Sequence, residues 1–230
     1  MDIESFFSRA ATKYRAKDVK VVFREFTELK HTWSRENGCL EFRVSDYLDN
    51  APDIVLEGMA EYLVGKAHGR DASSGAVSAY HRYVKSKELW GGISERYLGR
   101  SRAISTDPVG AHRDLRTVFS YVNVNYFGGR LRTPTLAWVR ESPATRFGYF
   151  FPQLDLLAVN RITDAERVPR YVLEFVVYHE LLHHVNADNG NDRRRLHHTK
   201  EFREQERRFS AYAESEKWLQ KLLMEHRAKK

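Results

Sequence analysis

Cysteine is almost absent from this chain, in which Cys39 is the only one among 230 residues. A single cysteine excludes an intramolecular disulfide framework, and it also excludes a cysteine-rich zinc ribbon. Because this usage suits a reducing compartment, we expect a cytoplasmic protein.

Long apolar runs are missing as well, since no stretch approaches the roughly 20 residues of a membrane-spanning helix. Basic residues are lacking at the start of the chain, where Asp2 and Glu4 replace the positive charges of a signal peptide. We therefore expect no membrane partner. The hydrophobic content of 42% is enough for one sizeable core or two small ones in a globular protein.

The sequence Tyr-His-Glu-Leu-Leu-His-His at 178–184 is the most informative segment. One helical turn holds about 3.6 residues, so His179 and His183 share one face of a helix and can bind one Zn²⁺. Glu180 then lies beside the metal, close to a bound water. This spacing is typical of zinc-dependent peptidases. His184 faces away from the pair, toward solvent or the surroundings of the site.

The residues before this motif predict a buried helix. Val168 and Pro169 indicate a helix start, and the segment 171–178 is apolar on nearly all sides. Unpaired imidazoles and carboxylates in such a helix are desolvated at a cost on the order of several kcal/mol, which a shared metal would offset. The alternative is a set of hydrogen-bonded core histidines with a paired glutamate.

A third metal ligand is expected after the loop 186–192, because a catalytic zinc uses three protein ligands and keeps one position open. We predict His198, since a histidine at the start of a second helix can meet the first helix across the loop. His197 and Glu201 remain alternatives, because zinc also accepts these donors.

At these residues the chain resembles the SprT-like zinc metallopeptidases, in which the HExxH helix is followed by a downstream HxxEF motif. Here the second motif begins at His198 and ends at Phe202. The resemblance extends from Ala111 to about Phe209 and includes the segments 122–127, 136–139, 147–148 and 154–160. It implies an α+β zincin core, namely a helix, a short sheet, the zinc helix and a final helix with the third histidine. It also implies peptide hydrolysis.

The chemistry expected of these residues agrees with that resemblance. Zn²⁺ held by His179, His183 and His198 would lower the pKa of a bound water to about 7. Glu180 would act as general base toward this water and then deliver the proton to the leaving amine.

Supporting roles have several candidates. Tyr149 and His197 are possible oxyanion donors, although an aromatic residue in an apolar strand also suits a core. Asp188 or Glu174 can orient a ligand histidine through its second ring nitrogen, or serve as solvated or capping residues. The apolar segment 154–160 predicts a strand, either a sheet edge that pairs with an extended peptide or an interior strand.

The first hundred residues contain a pattern similar to that of the second half. Segments 43–46 and 161–164 are alike, and each precedes a proline and an apolar helix. Counted from Pro52 and Pro169, Tyr62, Leu63 and Lys66 stand where the second half has His179, Glu180 and His183. We hypothesise an internal duplication whose N-terminal unit lost the metal; the alternative is an accidental match of two helices.

The segment 99–110 is rich in small residues and contains Pro108 and Gly110, so it predicts a domain boundary. We therefore predict an N-terminal α+β unit at 1–105, as a metal-free repeat, and an SprT-like zinc metallopeptidase domain at 106–230. In the second domain, 112–127 predicts a helix that ends at Gly128 and Gly129, and 200–229 has a charged helical pattern.

A net charge of +7 permits nucleic acid as a partner. Arginines lie at 193–195 beside the proposed ligands and at Arg96, Arg100 and Arg102. Because the basic residues are distributed along the chain and no recognised nucleic-acid module is present, a solvated basic surface is the preferred interpretation, with DNA as the alternative. The preferred function is a zinc metallopeptidase acting on proteins or peptides. The alternatives are a zinc hydrolase of non-peptide amides, and a DNA-associated or protein-binding module with a structural zinc.

Overall fold

The computed structural model describes residues 2–16, 18–101, 103–140, 146–187 and 199–228, except the side chains of 187, 226 and 227. The chain divides into two compact units, Met1–Ser101 and Arg102–Lys230. Each unit combines helices with a small sheet, which confirms the α+β class.

The first unit contains one three-stranded sheet and four α-helices. Its elements are α1 (Ile3–Tyr14), β1 (Asp18–Arg24), β2 (Thr32–Glu36), β3 (Cys39–Ser45), a 3-10 helix (Asp46–Leu48), α2 (Asp53–Ala67), α3 (Gly75–Tyr83) and α4 (Lys87–Arg100). The strand order is β1-β3-β2, with β1 parallel and β2 antiparallel to β3. Leu40, Phe42 and Val44 alternate along β3 and are buried, so one face of this sheet forms the core.

The second unit carries the segment that sequence analysis singled out. Its elements are β4 (Ile104–Ser105), α5 (Leu115–Phe127), β5 (Thr135–Val139), β6 (Gly148–Phe151), β7 (Leu156–Asn160), a 3-10 helix (Arg161–Asp164), α6 (Arg170–Ala187), α7 (Lys200–Glu206) and α8 (Tyr212–Ala228). The strand order is β4-β5-β7-β6; β7 is parallel to β5 and antiparallel to β6.

The division between the units falls before β4, whereas the sequence placed it between residues 105 and 106. Ile104 pairs with Val139 and Ser105 with Trp138, so β4 is an edge strand of the second sheet. This pairing is non-local and leaves no local signal in so short a strand.

The helix boundaries follow recognisable capping residues. α5 begins at Leu115, later than the His112 expected from the sequence, because the Asp114 side chain accepts a hydrogen bond from the Arg116 N–H and caps the helix. It ends at Gly128, whose φ of 64° is the left-handed conformation that glycine adopts readily.

α6 is the central element of the second unit. Its residues 172–178, 181 and 182 include a run of buried apolar side chains that pack with α5, β5, β7 and α8. The apolar run before the histidines therefore forms a buried helix, as its composition predicted. Across the described residues, no helix is long and apolar enough to cross a membrane.

The two units repeat one order of elements. In each, a helix is followed by three strands, a 3-10 helix and a long helix, and the third strand lies between the other two. The first and third strands are parallel and the second is antiparallel in both sheets. The long helices start directly after Pro52 and Pro169, so the register counted from these prolines is kept.

One part of the sequence comparison between the halves was wrong. Segment 43–46 lies mostly at the end of β3, whereas segment 161–164 forms the 3-10 helix after β7. The two segments therefore occupy different elements, and their likeness does not come from equivalent positions.

A buried histidine in the first unit gives a pH prediction. The His31 Nδ1 accepts a hydrogen bond from the Ser45 N–H, and its Nε2 lies 3.0 Å from the Tyr80 hydroxyl. Burial lowers the pKa of His31 to about 4. The unfolded chain therefore binds a proton between pH 6.5 and 4 that the folded chain does not, so stability is full above pH 6.5 and falls by roughly 3 kcal/mol as the pH drops to 4.

Urea unfolding of the full chain between pH 4.5 and 7, followed by fluorescence, tests this. We expect His31→Gln to reduce the loss of stability with acid, and His68→Gln to retain it. Equal acid dependence of the wild type and His31→Gln would contradict the prediction.

Candidate metal centre

The two histidines of the motif face each other on α6. The Nε2 atoms of His179 and His183 are 3.2 Å apart. Phe202 of α7 packs against both imidazoles, with ring centroids 5.3 Å from His179 and 4.5 Å from His183. These contacts hold the two rings with their Nε2 atoms close together.

This separation fits a shared metal ion. Two imidazole nitrogens that bind a tetrahedral zinc at about 2.0–2.1 Å are about 3.3 Å apart. The 3.2 Å observed between the Nε2 atoms of His179 and His183 matches that requirement. The donor set therefore fits Zn²⁺ in both chemistry and spacing.

Glu206 of α7 holds the other side of the first imidazole. Its Oε1 lies 2.6 Å from the His179 Nδ1, and both side chains are largely buried. A carboxylate that accepts from Nδ1–H fixes the tautomer and leaves Nε2 with a lone pair for a metal. Burial lowers the pKa of His179, but the hydrogen bond to Glu206 and the nearby carboxylates outweigh this and raise it.

Glu180 lies between α6 and the edge strand β6. Burial raises the pKa of Glu180, and the positive charges of His179 and Arg146 oppose that shift. A backbone hydrogen bond from Phe150 also stabilises the charged carboxylate. A buried carboxylate with a raised pKa is suited to accept a proton near neutral pH and to give it up again.

The histidines and Glu180 open into a cleft of about 860 Å³ within the second unit, which we call the α6 cleft. Its walls come from β6, α6, α7 and α8. They include Phe147, Tyr149, Phe150, Phe175, Val176, Leu219 and Leu223 together with Arg146, Arg203, Arg207, Glu206 and Glu216. The volume is in the range of ligand-binding pockets, and the lining is mixed apolar and charged.

The structure brings together three of the four residues predicted for the site, namely His179, Glu180 and His183. The predicted third ligand His198 and its alternative His197 lie outside the described residues. Among the described residues, no group of three or more histidine, cysteine, aspartate or glutamate side chains forms a metal site.

Glu201, the other alternative ligand, lies at the start of α7 and is exposed. Its own backbone N–H and the Thr199 side chain lower the pKa of its carboxyl through hydrogen bonds. It does not line the α6 cleft, so in this structure it serves the helix start.

The residues predicted to support the site lie in different surroundings. The prediction that Glu174 orients a ligand histidine was wrong, because its carboxylate pairs at 2.7 Å with Arg170, one helical turn earlier. Asp188, the other candidate, lies outside the described residues. Tyr149 lines the α6 cleft, and the His184 ring packs against Phe150 in a tilted arrangement with centroids 4.3 Å apart.

The orienting carboxylate that sequence reasoning missed is Glu206. A signal for it exists, because Glu206 follows Phe202 by one helical turn and therefore lies on the buried face of α7. A carboxylate on an apolar helix face loses its hydration and needs a hydrogen-bonding partner. For Glu206 that partner is the imidazole of His179.

Of the two expectations for segment 154–160, a sheet edge or an interior strand, the structure contradicts the first. β7 pairs on both sides, with β5 and β6, so the segment 154–160 contributes an interior strand. The edge beside Glu180 is β6, which the sequence did not predict. A four-residue strand that is half apolar gives little period-two signal.

Comparison with known proteins gives no relative for this chain: no family model, no curated protein and no solved structure matches it.

Gly148 determines how closely β6 approaches Glu180, the predicted general base. A Cβ at this residue would lie 2.9 Å from the Val176 Cγ1 and 3.1 Å from the Glu180 Cγ. Contacts this short force β6 or Glu180 to shift. We expect Gly148→Ala to reduce kcat/KM for peptide hydrolysis about 10- to 100-fold, since small displacements of catalytic groups are costly.

The matched control is Gly92→Ala on α4, where an added Cβ meets no atom within 4 Å. This control should retain activity. Full hydrolytic activity of Gly148→Ala would show that the close contact does not position Glu180.

Proposed function

We propose that this protein is a zinc-dependent metallopeptidase that hydrolyses peptide bonds. The observation that carries the proposal is the pair of His179 and His183 Nε2 atoms 3.2 Å apart, with the buried Glu180 carboxylate on the next residue and an open cleft in front. A pair of structural core histidines would not require this cleft or a carboxylate with a raised pKa.

His179 and His183 would hold the metal, with His198 as the proposed third ligand. Zn²⁺ bound there would supply Lewis acidity and lower the pKa of a water molecule. Glu206 keeps His179 in the tautomer that presents Nε2.

Glu180 performs the proton transfers. Its carboxylate accepts a proton from the attacking water while the water oxygen forms a bond to the carbonyl carbon of the substrate. The same proton then passes to the leaving nitrogen as the C–N bond breaks, which yields a carboxylic acid and an amine; the acid afterwards loses its proton to the solvent. Tyr149 in the cleft wall is the candidate donor for the developing oxyanion.

β6 provides a place for an extended substrate. It pairs with β7, and its residues Gly148, Tyr149 and Phe150 line the α6 cleft. Main-chain hydrogen bonds between a strand and an extended peptide bind many sequences with similar affinity. The substrate is accordingly a protein or peptide segment in an extended conformation.

The fold is part of the same proposal. We propose that α5, the sheet, α6 and the C-terminal helices form the zincin core that the resemblance to SprT-like peptidases implies. The first unit, with the same strand order, is a degenerate copy that has Tyr62, Leu63 and Lys66 at the metal positions. An experimental structure in which α2 runs opposite to α6 after superposition of the sheets would contradict this duplication.

Two observations bear on the location and on nucleic acid. The single cysteine supports a cytoplasmic location. Of the arginines that favoured DNA, Arg100 forms a bidentate pair with Asp46, and Arg96 lies 3.4 Å from Asp49. Arg102 and the arginines at 193–195, which were named with them, lie outside the described residues. Because Arg96 and Arg100 already pair with carboxylates, we prefer a peptide partner over DNA.

The experiment is hydrolysis of an unstructured protein such as casein by zinc-loaded enzyme, with products identified by mass spectrometry. We expect internal peptide cleavage. Cleavage of small non-peptide amides alone would favour the second function, a general zinc amidohydrolase. Zinc binding without any turnover would favour a binding module with a structural metal.

Glu206 gives a prediction for metal affinity. Replacement by glutamine removes the charge that orients His179 and keeps the size of the side chain. We expect Glu206→Gln to weaken zinc binding about 10- to 100-fold, the range for partners of ligand histidines. Competition with a chromophoric chelator measures this directly.

The matched control is Glu204→Gln, an exposed residue on the same helix that has the same change of charge. Its zinc affinity should equal that of the wild type. Equal affinities of Glu206→Gln and Glu204→Gln would show that Glu206 does not support the metal.

A further inference from the structure

Three arginines surround the α6 cleft. Arg146 precedes β6, Arg203 lies on α7, and Arg207 follows the end of that helix; all three are exposed and line the cleft. The proposed hydrolysis uses none of their guanidinium groups. Exposed arginines can lie anywhere on a protein surface. The position of these three at the opening of the α6 cleft therefore requires an explanation.

No carboxylate of the described residues forms an ion pair with these arginines. Arg146 lies 5.8 Å from the centre of the Tyr149 ring, and the Tyr212 side chain hydrogen-bonds to Arg207. Elsewhere in this unit, four arginines pair with carboxylates at 2.6 to 2.7 Å, namely Arg116, Arg132, Arg167 and Arg170. The cleft arginines thus keep donor groups available for a ligand.

The spacing of two of them suits one acidic group. Arg203 and Arg207 are four residues apart, so they project from the same side of α7. Guanidinium groups bind carboxylates through two parallel hydrogen bonds, which no neutral side chain reproduces. The carboxylates that also line the cleft, Glu180, Glu206 and Glu216, lie around His179 and His183.

We propose that the α6 cleft selects peptide substrates with aspartate or glutamate side chains close to the scissile bond. The apolar side chains Phe147, Val176 and Leu219 contact the neighbouring part of the peptide, and Arg203 and Arg207 bind the acidic group. This selectivity rests on the proposed peptidase function.

The shape of the site favours a peptide over nucleic acid. Non-specific nucleic-acid binding uses a charged groove that follows many phosphates, together with stacking platforms for bases. Here three cations surround one cavity of about 860 Å³ that has an apolar wall. Such a cavity accommodates a few side chains and not a continuous phosphate backbone.

The test compares three internally quenched peptides that are identical except for glutamate, glutamine or lysine on each side of the cleaved bond. For zinc-loaded wild type at low salt, we expect kcat/KM to be about tenfold higher for the glutamate peptide than for the glutamine peptide. Added salt should reduce this ratio, since both arginines are exposed.

The variant Arg203→Gln/Arg207→Gln should reduce the glutamate-to-glutamine ratio to near one. Lys217→Gln, which removes an exposed cation of α8 that does not line the cleft, should retain the wild-type ratio. A wild-type ratio near one, or a ratio that persists in the double arginine variant, would overturn the proposal.

A measurement of peptide binding distinguishes this inference from the peptidase proposal. Fluorescence anisotropy of the labelled peptides with Glu180→Gln reports recognition without turnover. Preference for the glutamate peptide, with no hydrolysis by the wild type, would support the acidic recognition and refute the peptidase function. Displacement of the glutamate peptide by a single-stranded oligonucleotide of equal charge, at lower concentration than by unlabelled peptide, would assign the arginines to nucleic acid and overturn the proposal.

Discussion

We expect replacement of Glu180 with glutamine to lower kcat for the proposed peptide hydrolysis by roughly 10²- to 10⁴-fold, the contribution of a general base. The amide has the size of the carboxylate, so the packing beside Gly148 is kept. It cannot accept the proton of water. Steady-state kinetics of zinc-loaded wild type and Glu180→Gln, with metal content measured in the same samples, give the result.

Metal content and the fold should remain unchanged in this variant, because Glu180 is not a ligand in the proposed site. Glu204→Gln, with the same charge change on an exposed residue, should retain wild-type kcat. If Glu180→Gln hydrolyses peptides at the rate of this control, Glu180 is not the general base.

We expect replacement of His183 with alanine to prevent stoichiometric zinc binding and to abolish the proposed hydrolysis. The Nε2 atoms of His179 and His183 form the pair at 3.2 Å, so one imidazole alone leaves the metal without its second donor on α6. The loss of affinity should exceed the 10- to 100-fold expected for the orienting residue Glu206. Metal analysis after equilibrium dialysis against zinc measures it.

His184→Ala is the matched control on the same helix. His184 packs against Phe150 and does not line the α6 cleft, so its removal should leave one zinc per chain. One tightly bound zinc in His183→Ala, as in His184→Ala, would show that the metal site lies elsewhere.

The sequence predicted those parts of the fold whose signals are local. The apolar run before His179, the glycine after Phe127 and the apolar segment 156–160 each specify an element by the residues within it. The spacing of His179 and His183 is likewise local, because four residues always span about one turn of a helix.

The remaining features depend on contacts between distant residues. Glu206 meets His179 across 27 positions, and this contact requires α7 to pack its Phe202 face against α6. The continuous helical pattern of 200–229 gave no sign that the chain turns between α7 and α8, where Phe209 enters the core. The pairing of β6 with β7 is also non-local and places Gly148 beside Glu180.

Zinc titration of metal-free protein tests the central claim most directly, with bound zinc and hydrolysis of an unstructured peptide measured in the same samples. We predict that activity is absent without metal, rises in proportion to bound zinc and reaches its maximum at one zinc per chain. Saturation with one zinc and no peptide hydrolysis, or hydrolysis that does not depend on zinc, would contradict the assignment of a metallopeptidase.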